Sequence, residues 1–560
     1  MKSRAAQKYT ELEGNSIKIY FPKLPALVSK VKTLNSRRFY TQPSPHWTAP
    51  LNEKNVEQLI DWGFEIHPKI KKWWTLYKIP ENRKAQAIWD IPGFNGQLMP
   101  FQAEGVGFYE LQNGRVLNAD DMGLGKTWQT LAWLQLRKAD ALPALIVCPA
   151  TVKYMWVQEA QKLMTGVRVQ VIEGRTGKQG ITPNTDIVVI NYDILAESQV
   201  CPKCQGIDYK RRECRACKKT GKAVELRPDL AEIEWKTVVA DEFHKLGVEK
   251  TQRHRAFIQA AKSAPFRIGL TGTPIENRII DIYRLLQIIN PTIFPNWLDF
   301  IRRYCEGHHD GWGWKYNGRS NTAELNRKLM STVMLRRKKV DVLKDLPPKT
   351  RVVIPIEVDK TLYNKVVKEC TELEPIVQIS KLRQAAAEAK LDSAIDWISD
   401  FLESGEKLVV FAWHKKIIDT LMKKFGAIAV KVDGSVTGLA RKAAEDRFQS
   451  DPSCQLFIGN LTAAGVGLTL TAAANSCTLE YSFKPTDHSQ AEDRIWRISQ
   501  TRKSTAYYLM ARGTIEEGFI EILDYKAAVI HAAMEGLDIE ETSTIKYLMN
   551  KIGGGNEKNN

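Results

Sequence analysis

The sequence predicts an α/β protein built from two tandem units, each with a parallel sheet. From about residue 96, short apolar runs alternate with helical stretches, and a second such series begins near residue 350. This alternation is typical of parallel sheets that are covered by helices on both faces. In the first unit, a loop rich in small residues follows an apolar run and precedes a helical stretch, which is the setting of a phosphate-binding loop.

The composition limits the possible classes of protein. The 560 residues are too many for one hydrophobic core and predict three to four domains. The formal net charge is +17 and is spread along the chain, which indicates a polyanionic partner, most simply nucleic acid. We find no bilayer-length apolar run and no signal-peptide pattern. Nine cysteines in a chain of this length do not make a disulfide scaffold, so we expect a reducing, cytoplasmic setting.

The predicted phosphate loop, residues 119–127, reads Ala-Asp-Asp-Met-Gly-Leu-Gly-Lys-Thr. Its N–H groups and the start of a helix expected over 128–136 can face one anion. We expect Lys126 to contact the β- and γ-phosphates and Thr127 to hold Mg²⁺. Asp120 stands where the strict pattern has Gly, so a plain Gly-rich turn is the alternative. The expected nucleotide contacts are Asp121, Met122, Gly123, Leu124, Gly125, Lys126 and Thr127.

An acidic pair, Asp241 and Glu242, follows the apolar run 238–240. At the carboxyl end of a parallel strand, such a pair can face the phosphate loop. Asp241 would then hold Mg²⁺, and Glu242 would orient and deprotonate the attacking water. The two motifs in one α/β unit indicate hydrolysis of a nucleoside triphosphate.

Two Cys-x-x-Cys pairs lie in an insertion between predicted strands. Cys201 and Cys204 are followed by Cys214 and Cys217, a spacing that can present four thiolates to one tetrahedral Zn²⁺. No open coordination position is implied, so we expect structural zinc, with free reduced thiols as the alternative. The insertion is also rich in Lys and Arg, and DNA contact is a second hypothesis, weighed against a solvated charged loop.

The second unit has no phosphate loop but carries Arg494 and Arg497. On a helix, this spacing places both side chains on one face. Guanidinium groups aimed at a neighbouring lobe can stabilise a γ-phosphate transition state. We therefore expect an arginine finger within the chain rather than surface charge.

Residues 1–95 read as a separate α+β module. Ile17, Ile19 and Phe21 alternate as in a strand, and residues 24–31 and 56–64 have helical spacing. Residues 69–77 interleave basic side chains with Trp, a pattern that can bind nucleic acid by charge and stacking. Packing of these Trp residues onto a neighbouring domain is an equally good alternative.

The order of these motifs resembles the Swi/Snf-type ATPases of helicase superfamily 2 over roughly residues 96–525. The resemblance implies two tandem RecA-like lobes that clamp one ATP. It places Gln102 at the position that reads adenine, and Gly465 and Gly467 in a second-lobe nucleotide motif. Phe243 departs from the commonest acidic-box spelling, which has Ala there. Other matching segments are Cys148-Pro149, Asn191-Tyr192, 270–274, 336–338, 346–349, 433–435 and 490–500.

Within that family, the chain resembles the annealing helicases that remodel replication forks. Residues 312–318 and 411–415 are similar to segments of that branch, and residues 17–50 are similar to its small HARP substrate-recognition domain. The resemblance implies an ATP-driven translocase on duplex DNA that remodels or anneals forked DNA in replication, repair or recombination. The alternatives are a strand-separating DNA or RNA helicase and an ATPase-dead DNA-binding scaffold.

The expected organisation follows from these matches. Residues 1–95 would be the HARP-like DNA-recognition module, 96–345 the first lobe, 346–525 the second lobe, and 526–560 a C-terminal helix and disordered tail. The first lobe would carry the zinc knuckle at 200–222 and a helical extension at about 280–335. The expected cofactors are ATP, Mg²⁺ and structural Zn²⁺. The expected partners are duplex or forked DNA, and then single-strand-binding, replication or recombination proteins, for a monomer associated with a bacterial, archaeal or phage nucleoid.

Overall fold

The computed structural model confirms the α/β class and the two parallel-sheet lobes. It describes residues 8–13, 16–22, 24–34, 38–40, 45–51, 53–77, 85–174, 180–201, 203–205, 207, 209, 214, 222–248, 251–275, 278–436, 438–462 and 467–535. Among these residues, we find no helix with the length and apolar character needed to cross a membrane.

The N-terminal module is a four-stranded antiparallel sheet covered by helices on one face. The strands, in spatial order, are Tyr9–Glu13, Ser16–Tyr20, His46–Pro50 and Arg38–Tyr40. The helices are Pro25–Val31, Glu53–Asp61 and Pro68–Tyr77. Ile17 and Ile19 alternate with polar residues and are fully buried against Val56 and Leu59, as the period of two predicts.

The first lobe contains a seven-stranded sheet in which every neighbouring pair is parallel. Its strands, in spatial order, are Met334–Leu335, Arg115–Asn118, Phe266–Leu270, Thr237–Asp241, Ala144–Cys148, Ile187–Asn191 and Val169–Val171. Val238 and Ala240 pack into the core on one face, whereas Val239 packs into the core on the other. Because both faces are covered by helices, these strands read as continuous apolar runs.

The helices of the first lobe include an extension beyond the sheet. The α-helices are Pro100–Leu111, Lys126–Leu136, Lys138–Ala141, Lys153–Leu163, Pro228–Ala231, Gln252–Ala261, Ile279–Ile289, Trp297–Tyr304, Thr322–Thr332 and Lys339–Val342. Two antiparallel hairpins project from the lobe: Ala196–Val200 with Lys222–Leu226, and His308–His309 with Trp314–Lys315.

The N-terminal region contacts the first lobe at several places. Arg303 of the extension is buried, donates to the backbone carbonyl of Leu51, and pairs with Glu324. Residues 85–91 also pack into the first-lobe core, where Ile91 is buried and the backbone N–H of Ile88 donates to the carbonyl of Ala103. This part of the expected N-terminal module is therefore built onto the first lobe.

The second lobe contains a six-stranded sheet that is also parallel between neighbours. Its strands, in spatial order, are Lys349–Ile356, Ser504–Ala511, Asn475–Thr478, Leu408–Ala412, Leu456–Asn460 and Ala429–Val432. Its helices are Lys360–Glu369, Pro375–Ala389, Leu391–Leu402, Lys415–Phe425, Gly438–Ser450, Pro485–Glu492 and Ile515–Glu535. Of the expected C-terminal helix and disordered tail at 526–560, residues 526–535 belong to the helix Ile515–Glu535, and residues 536–560 lie outside the described residues.

A buried ion pair inside the second lobe gives the first prediction. Lys390 Nζ lies 2.6 Å from Glu516 Oε2 and 2.6 Å from the carbonyl of Leu509, and both charged side chains are at most 1% exposed. Lys390→Met leaves the Glu516 carboxylate buried without its cation, so we expect a loss of about 3–5 kcal/mol in the free energy of unfolding of this lobe. The measurement is urea unfolding of the full chain, monitored by a signal that reports on the second lobe.

The control for this prediction is Lys416→Met, which removes a cation that is 67% exposed from its 3.0 Å pair with Glu388. Exposed pairs contribute little, so we expect this variant to unfold close to the wild type. Equal effects of the two substitutions would contradict the account of the buried pair.

Candidate active site

A cleft of about 710 Å³ lies between the two lobes. The strands Arg115–Asn118 and Thr237–Asp241 are parallel and separated by one strand, so the segments that follow them meet at the same sheet edge. The second lobe closes the opposite side of the cleft. The predicted residues that line it are Met122, Gly123, Gly125, Lys126, Thr127, Asp241, Glu242, Gly467, Arg494 and Arg497.

The phosphate loop has the backbone that its glycines permit. Gly123 and Gly125 have φ of +85° and +74°, and Gly125 precedes the first residue of the helix Lys126–Leu136. Asp120, which replaces the usual Gly, is fully buried and accepts hydrogen bonds from Arg337 and from Gln129 Nε2. The departure from the strict pattern therefore supplies a buried anion that fixes the loop to the segment following the strand Met334–Leu335.

The side chain of Lys126 is hydrogen-bonded to the backbone of the loop. Its Nζ donates to the carbonyl of Asp120 at 2.6 Å and to that of Asp121 at 3.2 Å. Burial lowers the pKa of Lys126, while nearby carboxylates, Asp120 first and then Glu242 and Asp241, oppose that shift. The ammonium thus donates to two backbone carbonyls, and an anionic phosphate would be a stronger acceptor.

The acidic pair faces this lysine across the cleft. Asp241 Oδ2 accepts from Trp156 Nε1 at 3.0 Å, and burial together with Glu242 raises the pKa of Asp241 to about 6. Glu242 has a left-handed φ of +53°, which is a strained conformation for a residue with a side chain. Its Oε2 is buried without a hydrogen bond and lies 3.4 Å from His244 Nδ1. Two crowded, desolvated carboxylates of this kind fit a divalent cation and a polarised water.

Phe243 does not disturb the acidic pair. Its side chain is 1% exposed and points into the core rather than into the cleft. A Cβ on Gly269 of the neighbouring strand would lie only 2.4 Å from Phe243 Cδ1. The absence of a side chain at Gly269 thus leaves the space that the Phe243 ring occupies, so Phe243 at this position depends on Gly269.

Arg494 and Arg497 reach the cleft, but not from a helix as expected. The helix Pro485–Glu492 ends before them, and both arginines lie in the turns that follow. Arg494 donates to the carbonyls of Gln490 and Leu468, and Arg497 donates to the carbonyl of Asp493 and to Thr469 Oγ1 at 2.9 Å. These hydrogen bonds hold both arginine side chains against the preceding turn and the segment 468–469.

The two guanidinium groups are unusually desolvated. Burial, and then the charge of Arg497, lowers the pKa of Arg494 to about 9, and burial also lowers the pKa of Arg497. Within the described residues, the hydrogen bonds of both groups end on carbonyl or hydroxyl oxygens and not on carboxylates. Their positive charge is therefore available to a polyanion in the cleft.

Lys339 connects the phosphate loop to the arginine turns, and the sequence analysis did not single it out. Its backbone N–H donates to Asp121 Oδ2 at 3.0 Å, and its Nζ lies 2.9 Å from Asp493 Oδ2 and 2.9 Å from the carbonyl of Trp496. The side chain is 1% exposed. The basic run 336–339 was a signal in the sequence, but it does not reveal which lysine crosses to the second lobe.

Trp128 is a second cleft residue that the sequence analysis did not single out. Its indole lines the cleft directly after Thr127, with the Phe94 ring edge-on at 6.4 Å between centroids and Lys162 Nζ 5.7 Å from its centroid. A flat aromatic wall beside a phosphate loop suits a stacked nucleotide base. In the sequence, the feature that could have indicated this role is the aromatic residue immediately after the Lys-Thr pair.

Three expected nucleotide contacts are not among the residues that line the cleft. Gln102 is 4% exposed, and its amide donates to the carbonyl of Leu124 and accepts from the N–H of Met99. Leu124 is fully buried in a cluster with Phe101. The Asp121 carboxylate is engaged by Lys339, as above. In the structure, Gln102, Asp121 and Leu124 therefore hold the loop in place. Gly465 lies outside the described residues.

Three of the four predicted zinc ligands are clustered. The sulfur atoms of Cys201, Cys204 and Cys214 lie within 4.8 Å of one another, with 3.9 Å between those of Cys201 and Cys214. Four thiolates at tetrahedral zinc are separated by roughly 3.8 Å, so this spacing fits the metal. Cys217 lies outside the described residues.

Comparison with known proteins decides the family. The SNF2-related domain matches residues 59–405, which is more than half of the chain, and the helicase conserved C-terminal domain matches residues 390–499. The chain belongs to the SNF2-related family. The resemblance predicted from the motifs is thereby confirmed, and ATP and Mg²⁺ are the cofactors that this family membership indicates.

The similar proteins include annealing helicases. The chain is 32% identical over 80% of its length to the SWI/SNF-related matrix-associated actin-dependent regulator of chromatin subfamily A-like protein 1 of Xenopus laevis, covering 45% of that protein. It is 30% identical over 79% of its length to the human DNA annealing helicase and endonuclease ZRANB3, covering 40% of that protein. The chain thus spans about half the length of the curated relatives it matches.

A solved structure with similarity is the Sulfolobus solfataricus SWI2/SNF2 ATPase core in complex with dsDNA. It is 24% identical, with a TM-score of 0.38, over 83% of this chain and 99% of that one.

Lys339 gives the second prediction. Lys339→Met keeps the length of the side chain but removes the charge that holds Asp493 and Trp496, so the arginine turns lose their anchor. We expect kcat for ATP to fall by about 10²-fold, with a much smaller change in KM, because misplaced catalytic groups affect the reaction more than binding. Lys339→Arg should recover part of kcat.

The matched control is Lys344→Met, which removes an exposed lysine of the same segment. The Nζ of Lys344 donates to the carbonyl of Val340. We expect its kcat to stay near that of the wild type. A Lys339→Met enzyme with normal kcat would show that the lobes do not depend on this contact.

Proposed function

We propose that this chain is a DNA-stimulated ATPase that tracks on duplex DNA and remodels or anneals forked DNA. One observation carries the proposal: Lys126, Asp241 and Glu242 of the first lobe share one cleft with Arg494 and Arg497 of the second lobe. The names of the relatives, which include a DNA annealing helicase, support DNA as the substrate class. The net charge of +17 supports it independently.

The cleft residues would divide the chemistry between the lobes. Lys126 exchanges its carbonyl partners for the β- and γ-phosphates, and the base stacks on Trp128. Thr127 and Asp241 would hold Mg²⁺, which neutralises charge on the phosphates when it is bound. Glu242 orients the attacking water and accepts its proton. Arg494 and Arg497 stabilise the charge that develops on the γ-phosphate, so hydrolysis requires the second lobe to be in place.

Binding to DNA would be mainly electrostatic. Lys and Arg contacts to the phosphate backbone give affinity that falls with salt and depends little on sequence. We assign residues 1–77 to DNA recognition as the HARP-like module, and Arg303 fixes this module to the extension of the first lobe. Lobe opening and closing in each ATP cycle would then move the motor and the module along the duplex together.

The third prediction tests the assignment of the arginines. Arg497→Ala removes charge stabilisation that is needed in the transition state, so we expect hydrolysis in the presence of duplex DNA to slow by about 10³-fold while nucleotide binding changes little. The measurements are steady-state ATP hydrolysis and equilibrium binding of a fluorescent ADP.

Arg447→Ala is the matched control for Arg497→Ala, because Arg447 is a partly exposed arginine of the same lobe whose 3.4 Å partner is Asp451. We expect it to hydrolyse ATP at the wild-type rate. Full hydrolysis by Arg497→Ala, or no hydrolysis by the wild type with any DNA, would reject the proposal.

We also propose that Cys201, Cys204, Cys214 and Cys217 bind one structural Zn²⁺. The sulfur spacing and the near-complete burial of Cys201 and Cys204 support this proposal. The fourth prediction is that purified protein contains about one zinc ion per chain. Cys201→Ser combined with Cys214→Ser should abolish that content in elemental analysis, whereas Cys370→Ala should retain it. Zinc that survives the double substitution would refute the site.

A further inference from the structure

Trp312 is the most exposed large hydrophobic side chain among the described residues, at 98%. It lies at the tip of the hairpin formed by His308–His309 and Trp314–Lys315 and is not among the residues that line the ATP cleft. Neither the proposed hydrolysis nor the family comparison assigns a role to this indole.

The tip is fixed by hydrogen bonds rather than left flexible. Asp310 Oδ1 accepts from the N–H of Trp312 at 3.0 Å and from that of Gly313 at 2.9 Å, and the N–H of Asp310 donates to the carbonyl of Gly313 at 3.1 Å. Gly311 has φ of +94°, which a residue with a Cβ rarely adopts. These bonds fix the backbone of the tip, and the indole that it carries is exposed to solvent.

The base of the hairpin is equally firm. Trp314 lies edge-on to Trp297 at 6.2 Å between centroids, and the Arg302 guanidinium lies 5.1 Å from its centroid. The N–H of Gly307 donates to the carbonyl of Ile301 at 2.8 Å, which ties one leg of the hairpin to the helix Trp297–Tyr304. A rigid support of this kind can transmit force to whatever the tip contacts.

The same short helix also holds the N-terminal module. Arg303, next to Arg302, donates to the carbonyl of Leu51 and is clamped by Glu324. The hairpin and the module that we assign to DNA recognition are therefore mounted on one element of the motor. The tip itself is close to electrically neutral, because Lys315 pairs with Asp310 at 3.4 Å, so the tip offers a π-face rather than a phosphate contact.

We propose that Trp312 stacks on the base exposed where a DNA duplex ends in a fork junction. Indoles stack on bases of any sequence, and apolar side chains can insert at disrupted base steps. Inside a continuous duplex, every base face is already covered by its neighbours, so the indole finds a free face only at a junction or an end. The hairpin would thus give the motor a preference for DNA structure without reading sequence. The inference rests on the proposed action on DNA.

The fifth prediction compares forked DNA with closed circular duplex DNA, which has neither junctions nor ends. For Trp312→Ala, we expect the fork concentration that half-maximally stimulates ATP hydrolysis to rise by about 10-fold, the size of one lost stacking contact. The value for the closed circle should stay within about twofold, because continuous duplex offers the indole no free face. Trp312→Phe should keep most of the fork preference. Trp89→Ala removes another exposed indole, at 60%, and should change neither value.

A binding measurement without ATP separates this inference from the proposed function. A 2-aminopurine placed at the junction should change its fluorescence when wild-type protein binds the fork, and this change should be lost with Trp312→Ala. A wild-type enzyme that no DNA stimulates would reject the proposed function, while the fluorescence would still report on stacking. Equal weakening on fork and circle, or no change on either, would overturn the inference.

Discussion

Lys339 places a buried ammonium group between the two lobes. Lys339 receives its position from Asp121 in the phosphate loop and delivers its charge to Asp493 and the carbonyl of Trp496, beside the arginine turns. Hydrolysis in the proposed mechanism requires groups from both lobes at one phosphate. A contact that touches the loop and the arginine turns together sets the geometry on which that chemistry depends.

The electrostatics of the cleft fit a triphosphate with its metal ion. Asp241 and the half-buried Glu242 crowd each other on one side, and Arg494 and Arg497 are desolvated on the other. Each arrangement is costly in isolation, since burial disfavours the charges on Asp241, Arg494 and Arg497. A cation between the carboxylates and phosphates against the guanidinium groups relieve both costs, so strained features gather where the ligand would bind.

The sequence predicted what depends on local pattern and could not predict what depends on tertiary contacts. Apolar runs located the buried parallel strands, and glycine spacing located the loop. The end of the helix at Glu492 does not follow from the local pattern, because Arg494 donates to the carbonyl of Leu468 and Arg497 to the hydroxyl of Thr469, which are distant in the sequence. Gln102 reads as a ligand contact by position, yet its amide is occupied by Leu124. Lys339 is indistinguishable from its neighbours until the second lobe is folded against it.

A DNA-stimulated ATPase is tested most directly by steady-state ATP hydrolysis by the wild-type chain, without nucleic acid and then with closed circular duplex or forked DNA, at two salt concentrations. We expect a low basal rate, strong stimulation by either DNA, and a DNA requirement that increases steeply with salt, because phosphate contacts dominate binding. A basal rate that DNA does not change would contradict this expectation, since the cleft would then work without the partner for which the charge of the chain is suited.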